Sequence, residues 1–525
     1  MKRMKKLVSV LLAAIMVMAM AVTASAATVT VPSDGILKDH TFTAYQVFSG
    51  REEGGILSDV QWGSGINSTA FLAALKADTT CGSLFTNCTD AAAVAKVLGD
   101  NNTNTDLANA VAKLAYANKT DVGTTLTSGE NNLLDGYYLV VDTTENVAAG
   151  SAYNTALLQV VGNINITVKT DAPTVEKKVL EDDKYNQDGG YGTGYNDVAD
   201  YNMGDVVPFH LIGSVPDMSR YDTYKYIFHD TLSSGLTLNE DSIKVYVASD
   251  KAGSDKTEIT GWTKAVNGQV FTVSFENLKT VSGVSQGKYI IVEYTATLNQ
   301  NAVVGLDGNL NVVYLEYSNK PDQSGSGDTD NTGNTPEDKV IVFTYELDTT
   351  KVDGQDNTKK LKGAEFKLHN ADNKWAIVDS DNKVTGWAGT EEGGSTLTSD
   401  ANGLFKVIGL DDGTYYLKET KAPTGYNLLS SEITVVITAT TTNGQTWTDG
   451  LASSALTNLA VTADKKAGTG DTSTGIAGIT VANNKGSTLP ETGGMGTTIF
   501  YVIGAILVIG AGVVLITRKR MSASK

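Results

Sequence analysis

The 525-residue chain is poor in cysteine, histidine and proline, with two, four and eight of these residues. So few thiols and imidazoles leave little material for a multi-ligand zinc or iron–sulfur site, and we expect no metal and no cofactor. Basic residues are also in the minority, 41 against 59 acidic ones, and a formal net charge of −18 gives no electrostatic footprint for nucleic acid. Hydrophobic residues make up 41% of the chain and charged ones 19%, which excludes wholesale disorder. At roughly 100–200 residues per domain, the length predicts three or four domains.

Residues 1–26 have the pattern of a secretory signal peptide. Four basic residues among the first six precede an apolar run from Leu7 to Val22, and the small-residue triplet Ala24-Ser25-Ala26 follows. We expect cleavage after Ala26, and an N-terminal membrane anchor is the weaker alternative because this triplet closes the run.

The C-terminal end, residues 489–525, combines three features in a fixed order. The pentapeptide Leu489-Pro490-Glu491-Thr492-Gly493 precedes an apolar stretch near Thr497–Thr517, and the basic cluster Arg518-Lys519-Arg520 follows. About 20 apolar residues can span a bilayer as a helix, and the basic cluster would hold its end on the cytoplasmic side. In this order the three features resemble the cell-wall sorting signal of Gram-positive surface proteins. The resemblance implies that a sortase cleaves between Thr492 and Gly493 and passes the threonyl acyl group to an amine.

Removing both ends makes the remaining chain more acidic. The removed residues, 1–26 and 493–525, carry four basic residues each and no acidic one, so residues 27–492 hold 33 basic against 59 acidic residues and a formal charge of −26. Such a surface stays soluble but repels other copies of itself.

The first segment between the ends, residues 27–171, mixes strands with short helices. A run of β-formers at Thr41–Phe48 predicts a strand, and alanine-rich stretches at 69–76, 91–98 and 107–117 predict helices. Further strands are predicted at 136–142, 156–161 and 164–168. Cys81 and Cys88 lie between the helices, where a disulfide and two free thiols are both open in an exported protein. His40 is the nearest histidine and nothing marks it as a partner, so we expect no catalytic cysteine.

The second and third segments have the pattern of β-sandwiches. Six β-rich runs between residues 172 and 320 are separated by turn residues at sandwich spacing: Val206–Ile212, Tyr224–His229, Ile243–Val247, Val270–Phe275, Tyr289–Leu298 and Asn311–Tyr317. The polar residues 321–339 predict a solvated linker, and the third segment then covers 340–488.

Three phrases of the third segment resemble the collagen-adhesin B-type immunoglobulin-like domain: Gly363–Leu368, Gly413–Thr420 and Lys421–Tyr426. Tyr45–Phe48 and Glu316–Asn319 resemble the first and second domains of the same proteins. With the sorting signal, the whole mature chain resembles a sortase-assembled major pilin. The resemblance implies a mainly β fold of tandem immunoglobulin-like sandwiches, the N-terminal one with added short helices. It also implies a structural role in a covalent pilus, with self-made Lys–Asn isopeptide bonds inside the domains.

Strand parity permits such a bond in the third segment. Because side chains alternate along a strand, Lys351 shares a face with Tyr345 and Leu347, and Glu419 and Asn483 can point into the same core from two later strands. Burial would lower the pKa of the lysine and raise that of the acid, so a neutral amine could attack the carboxamide while Glu419 shuttles protons. The alternative is a surface ion pair of Lys351 and Glu419 with Asn483 in a turn.

In the second segment the predicted bond joins Lys177 to Asn319, the residue that ends the last strand. Asp230 is the predicted proton shuttle. Lys178 is the alternative lysine, and Glu293 is the weaker candidate for the acid.

The first segment departs from the pattern. In the strand Gly136–Asp142, Val141 stands where Glu419 stands in the third segment, and Asp142 is one residue late and should face outward. We therefore expect no isopeptide bond there.

Polymerisation needs a lysine that accepts the threonyl group, and many family members carry it in a Tyr-Pro-Lys-Asn motif. That motif is absent from the corresponding stretch Asn165–Thr170, and Lys169 is the candidate by position, with an ordinary solvated lysine as the alternative.

The leading interpretation is a pilus shaft subunit on the cell wall of a Gram-positive bacterium. The expected partners are pilin-type and housekeeping sortases, other copies of the chain, a peptidoglycan precursor, and minor pilins and host ligands. A monomeric wall-anchored adhesin of the same domain type is the alternative. A secreted enzyme is not favoured, because the sequence has no Gly-x-Ser-x-Gly, His-Glu-x-x-His or phosphate-loop motif.

Overall fold

A computed structural model of the chain describes residues 26–154, 157–160, 164–167, 171–182, 190–321, 331–442, 455–486 and 495–523. These residues form three β-rich domains in chain order and one C-terminal helix.

The described part of the first domain contains eight strands: β1 (Ala26–Val31), β2 (Phe42–Glu53), β3 (Ile56–Trp62), β4 (Thr124–Leu126), β5 (Gly129–Leu134), β6 (Gly136–Asp142), β7 (Leu157–Val160) and β8 (Ile164–Asn165). Its four helices are α1 (Ser68–Ala77), α2 (Gly82–Phe85), α3 (Ala91–Asp100) and α4 (Thr105–Ala117), and a 3₁₀ turn covers Gly35–Leu37. The alanine-rich stretches thus form the three predicted helices. Asn67, Asp90 and Asn104 cap them by accepting a hydrogen bond from a backbone N–H of the first turn.

The five-stranded sheet of the first domain, in the order β3-β2-β6-β7 with β4 beside β2, is covered on both faces. On one face Val47, Leu139 and Val141 pack with the helices. On the other face Phe42 and Val140 pack against the small β5-β1-β8 sheet. The alternation of side chains along these strands therefore divides them between two cores, and not between a core and solvent.

The outward orientation predicted for Asp142 is wrong for this reason. The Asp142 side chain is buried on the face of the small sheet, where its carboxylate accepts hydrogen bonds from His40 Nδ1 at 2.6 Å and from the backbone N–H of Asn154 at 2.7 Å. These bonds hold the pKa of Asp142 below its usual value although burial acts in the opposite direction.

The two cysteines of the first domain are free thiols. Cys81 and Cys88 are both buried in the core between the sheet and the helices. Burial, followed by a hydrogen bond to the Asp78 carboxylate, raises the pKa of the Cys81 thiol to about 12. Of the two predicted alternatives, the structure has the unpaired one.

The described residues of the middle domain form a sandwich of two seven-stranded sheets. Its strands are β9 (Val175–Leu180), β10 (Tyr195–Asn196), β11 (Val198–Asp200), β12 (Val206–Ser214), β13 (Tyr226–Leu232), β14 (Leu236–Leu238), β15 (Lys244–Ala248), β16 (Thr257–Glu258), β17 (Thr263–Asn267), β18 (Val270–Phe275), β19 (Tyr289–Leu298), β20 (Asn309–Ser318), β21 (Thr332–Asn334) and β22 (Asp338–Phe343). Short 3₁₀ turns cover Glu240–Ser242 and Leu278–Thr280. One sheet has the order β10-β9-β12-β19-β15-β16 with β14 beside β19, and the other β11-β22-β20-β13-β18-β17 with β21 beside β20.

The second half of the predicted linker belongs to this sandwich. β21 and β22 both pair with β20, so residues 332–343 complete the middle domain, and the boundary predicted at residue 340 moves to Tyr345. The polar composition of residues 332–339 gave no sign of this, because β21 adds only Thr332, Gly333 and Asn334 to a sheet edge.

In the part of the third domain that the structure describes, there is a four-stranded sheet, β28-β23-β34-β33, and an eight-stranded sheet, β26-β25-β24-β29-β30-β31-β32 with β27 beside β24. Its strands are β23 (Tyr345–Asp353), β24 (Glu365–Asn370), β25 (Trp375–Val378), β26 (Val384–Ala388), β27 (Leu397–Thr398), β28 (Leu404–Leu410), β29 (Gly413–Lys421), β30 (Ile433–Thr441), β31 (Leu456–Ala463), β32 (Lys466–Ala467), β33 (Thr469–Asp471) and β34 (Ile476–Asn483), with a 3₁₀ turn at Glu391–Gly393. The first strand, β23, and the last, β34, are parallel neighbours, with Lys351 opposite Val481 and Asp353 opposite Asn483.

The two joints between the domains differ in kind. The middle and third domains share one continuous hydrophobic core, and Met203 packs so closely on Gly409 that a Cβ there would lie 2.4 Å from the Met203 Cγ. The first domain keeps its own two cores and meets the middle domain through polar contacts. Among these, the Tyr153 N–H donates to the Asn319 carbonyl at 2.9 Å and Lys113 pairs with Asp222 at 2.5 Å.

The C-terminal helix α5 (Met495–Ser522) includes one stretch, Thr498–Ser522, that is long and apolar enough to cross a membrane. It covers most of the predicted span and continues through the basic cluster.

Candidate cross-linking sites

A lysine, an aspartate, an asparagine and a tyrosine meet in the core of the middle domain. Lys177 on β9 donates to the Asp230 carboxylate on β13, and its Nζ also donates to Asn311 Oδ1 on β20 at 2.6 Å. The Tyr294 hydroxyl on β19 donates to Asp230 Oδ1 at 3.1 Å and accepts from Asn311 Nδ2 at 2.7 Å. All four side chains are buried. The Lys177 amine on one sheet thus contacts the Asn311 carboxamide on the other sheet, and the Asp230 carboxylate lies beside the amine.

Burial changes the acid–base properties of this cluster. Desolvation lowers the pKa of the Lys177 amine to about 8, although the Asp230 charge acts to raise it. Desolvation likewise raises the pKa of Asp230, against the effect of Lys177. The rings of Phe209 and Tyr294 lie 5.8 and 5.6 Å from Lys177 Nζ and keep water away. Both shifts favour the neutral pair over the ion pair.

The structure places Asn311, and not the predicted Asn319, beside Lys177. Asn311 and Asn319 share the parity of β20, so both are allowed by the alternation of side chains. The register of β13 with β20 decides between the two asparagines. Asp230 lies opposite Val313, two residues from Asn311, whereas Tyr226 at the other end of β13 lies opposite Tyr317, two residues from Asn319. Asn319 is eight residues beyond Asn311, about 26 Å along the strand direction, and lies at the joint with the first domain.

Both alternatives for the middle domain are also placed elsewhere. Lys178 faces away from Lys177, and its Nζ pairs with Asp197 Oδ1 at 2.6 Å. Glu293 pairs with His210 at 3.2 Å and with Lys256 at 2.5 Å on the outer face of the sheet. The hydrogen bond from His210 is the main cause that holds the pKa of Glu293 at about 2, so this carboxylate is a poor proton donor.

In the third domain the structure brings Lys351, Glu419 and Asn483 into one core. All three side chains are buried, at 0, 5 and 1% exposure. Glu419 Oε2 accepts from Asn483 Nδ2 at 2.9 Å and from the Leu429 N–H at 2.8 Å. The Lys351 amine donates to the Val481 carbonyl at 3.1 Å. Desolvation lowers its pKa to about 8, with the Glu419 charge acting in the opposite direction.

Two buried oxygens of this site have no hydrogen-bond partner among the described residues, Glu419 Oε1 and Asn483 Oδ1. An unsatisfied buried acceptor costs about 1–3 kcal/mol, so a donor supplied by the neighbouring lysine would relieve the site. Asn427, whose carbonyl accepts from Asn483 Nδ2 at 2.7 Å, fixes the carboxamide from the other side.

Three family models match the chain. The Gram-positive pilin backbone subunit 2, Cna-B-like domain matches residues 203–321, the prealbumin-like fold domain matches 345–450 and the LPXTG cell wall anchor motif matches 481–522. The chain thus carries the domains and the anchor motif of a Gram-positive backbone pilin.

Individual relatives agree with this family. The pilin is 27% identical over 381 residues to the trypsin-resistant surface T6 protein of Streptococcus pyogenes, an alignment that covers 61% of this chain and 65% of that protein. It is 27% identical over 300 residues to the fimbrial subunit type 1 of Actinomyces viscosus, covering 52% of this chain and 51% of the relative. The pilin thus spans between half and two thirds of these relatives. The solved T6 backbone pilin of S. pyogenes has the same fold, with a TM-score of 0.53 and 18% identity over 88% of this chain and 99% of that one.

The anchor match confirms the predicted sorting signal and with it the location of the pilin at the surface of a Gram-positive cell. The predicted β-sandwich class is confirmed as well. The motif residues Leu489, Pro490, Glu491, Thr492 and Gly493 and the candidate linking residue Lys169 lie outside the described residues.

Sequence reasoning missed Tyr294 and Asn311. Asn311 carried a usable signal, because an asparagine in the inward phase of an otherwise apolar strand is unusual: Val313, Leu315 and Tyr317 share its face and are fully buried. Tyr294 carried none, since a tyrosine in β19 is equally suited to the hydrophobic core of the pilin.

Proposed function

We propose that the chain is the structural subunit of a covalent surface pilus, polymerised and wall-anchored by sortases through Thr492. Intramolecular isopeptide bonds would brace it, between Lys351 and Asn483 in the third domain and between Lys177 and Asn311 in the middle domain. The buried contact between the Lys177 amine and the Asn311 carboxamide is the observation that carries the bracing part of the proposal.

The proposed chemistry is an amide exchange. In the middle domain a proton passes from the Lys177 ammonium to the Asp230 carboxylate along their hydrogen bond. The neutral amine attacks the Asn311 Cγ, and the protonated acid gives its proton to Nδ2 as the Cγ–Nδ2 bond breaks. The Asp230 carboxylate then accepts the second proton that the attacking nitrogen loses and ends protonated. Ammonia leaves and one new amide remains. The Tyr294 hydroxyl, bound to both Asp230 and Asn311, holds the acid and the carboxamide in line.

Glu419 would play the same part in the third domain. Its Oε2 already accepts from Asn483 Nδ2, the atom that leaves as ammonia, so the acid is placed to protonate the departing amine. Removal of a charge from each partner also relieves the desolvation of a buried lysine and a buried glutamate.

Polymerisation is tested with the full chain and a pilin sortase in a Gram-positive host. We expect a ladder of covalent multimers on denaturing gels, lost in Thr492→Ala and in Lys169→Arg chains, with Lys339→Arg as the matched lysine control. A wild-type chain that stays monomeric but wall-linked would support the monomeric adhesin instead. A ladder that persists in Lys169→Arg would move the linkage to another lysine.

A further inference from the structure

The end of the third domain from which the chain leaves towards Thr492 is rich in lysine, in contrast to the rest of this acidic protein. The segments 353–365, 420–427 and 483–486 form this end, where Gly354 N donates to the Asn483 carbonyl and Asn427 N to the Asn484 carbonyl. Its five exposed lysines are Lys359, Lys360, Lys362, Lys421 and Lys485. We call these five residues the lysine pole.

The lysines of the pole are only partly neutralised. Lys359 and Lys485 share a single carboxylate, that of buried Asp353, at 3.7 and 3.5 Å. Hydrogen bonds from the Gln355 N–H and the Tyr426 hydroxyl, with Lys485 contributing less, hold the pKa of Asp353 at about 2, so it stays ionised and buried. Within the three segments the acidic residues are Asp353, Asp356 and Glu365, which leaves a local charge of +2 in a chain whose part between the processing sites carries −26.

The acidic counterpart lies at the joint between the first and middle domains. Asp171 and Asp217 are exposed and adjacent, since the Asp217 N–H donates to Asp171 Oδ2 at 2.5 Å. Among the described residues, neither forms an ion pair with a lysine or arginine. In the sequence, Asp171 is only two residues from Lys169, the proposed linkage point.

The length of the tail brings the two surfaces together between copies. Thr492 is six residues beyond Gly486, and a chain of that length reaches about 20 Å when fully extended. A Thr492–Lys169 bond therefore holds the lysine pole of one copy close to Asp171 and Asp217 of the next.

We propose that the lysine pole of one copy docks on the Asp171–Asp217 pair of the next copy and so steers Thr492 to its acceptor. The proposal rests on the proposed polymerisation. Charge complementarity of this kind speeds encounter between surfaces that otherwise repel each other, and the two copies here are both strongly acidic. The partner is a second copy of this chain.

The test uses the full chain and a pilin sortase in the same Gram-positive host. Lys359→Glu/Lys360→Glu should reduce the yield of multimers about tenfold. Adding Asp171→Lys/Asp217→Lys to the same chain restores opposite charges across every junction and should bring the multimers back. Lys465→Glu/Lys466→Glu is the matched control, because these two exposed lysines lie on the β31–β32 hairpin, away from the pole. The next strand, β33, pairs with β34 only as far as Gly478, five residues before Asn483.

Each outcome is decisive. Multimers at the wild-type level in Lys359→Glu/Lys360→Glu, or no recovery in the charge-swapped chain, would overturn the docking and leave the proposed function intact. Normal multimers with a lower wall-attached fraction would assign the lysines to anionic wall polymers instead and also overturn it. A wild-type chain without multimers would overturn the proposed function and the docking with it. Intact mass measures the isopeptide content of each variant and shows that it has folded.

Discussion

The Lys177 amine and the Asp230 carboxylate meet where neither side chain has any exposure to solvent. Two charges in such a place are costly, and transfer of one proton removes both. The same step converts an inert ammonium into a nucleophile that already touches a carboxamide oxygen. The fold thus holds the lysine, its proton acceptor and its target carboxamide in contact before any reaction.

The identity of the acceptor in the middle domain is open to a direct test by intact mass. Two bonds predict a wild-type deficit of about 34 Da, or about 17 Da of ammonia per bond. In Asn311→Ala the mass deficit should be that of one bond and not of two, because Lys177 then has no carboxamide to attack. Asn319→Ala is the control and should keep both. A lost deficit in Asn319→Ala alone would restore the assignment made from the sequence.

Glu419→Ala should abolish the bond of the third domain and leave that of the middle domain. The free energy of unfolding should fall by about 4–5 kcal/mol from the lost closure of a loop longer than 100 residues. Mass and thermal unfolding are measured on the same sample. An unchanged deficit would show that the lysine reacts without this acid.

Tyr294→Phe should slow the middle-domain bond by about tenfold or more, because the hydroxyl that joins Asp230 to Asn311 is lost while the ring that shields Lys177 stays. The measurement is the fraction of chains with one and two ammonia losses, sampled within minutes of synthesis. Tyr226→Phe removes a buried hydroxyl bound to the Ser214 carbonyl and serves as the control. Equal rates of bond formation in the two variants would show that Tyr294 contributes by packing alone.

An unlinked Lys351 should make stability depend on pH. In Asn483→Ala the amine remains free, with a pKa of about 8 in the fold against 10.5 for the ordinary group. Between these values the unfolded chain binds more protons than the folded one, so the free energy of unfolding should rise with pH across this window. The rise should be about 3 kcal/mol at most. Lys351→Met/Asn483→Ala should lack it in urea titrations at pH 7 and pH 10, and an equal rise there would contradict the prediction.

The thiols should react only after unfolding. Cys81 and Cys88 are buried, and the raised pKa values of both keep them protonated at neutral pH. Iodoacetamide should leave the native protein unmodified and add two groups in denaturant without any reductant. A requirement for reductant would instead show a disulfide.

Parity and motif were enough to predict that Lys351, Glu419 and Asn483 share one core. Each belongs to a strand whose inward face is marked by apolar residues. The middle domain shows the limit of that reasoning. Alternation gives the face of a strand but not the depth along it, and only the register of β13 with β20 distinguishes Asn311 from Asn319.

Two further differences have the same origin in tertiary structure. Asp142 is buried because a second sheet covers the face that a two-layer sandwich would leave in water. Residues 332–343 join the middle domain because β20 offers them an edge to pair with. Neither the covering sheet nor the free edge can be derived from the local sequence.

The parallel pairing of β23 with β34 determines how the third domain would carry tension. A pull along a filament enters at Tyr345 and leaves beyond Asn483, at the same end as Lys351. An amide between Lys351 and Asn483 would pass this force directly from β23 to the end of β34, so residues 352–482 would not bear it. The sheets of the domain could then neither unravel nor lengthen under load, and the domain would behave as an inextensible link whose strength is that of its covalent bonds.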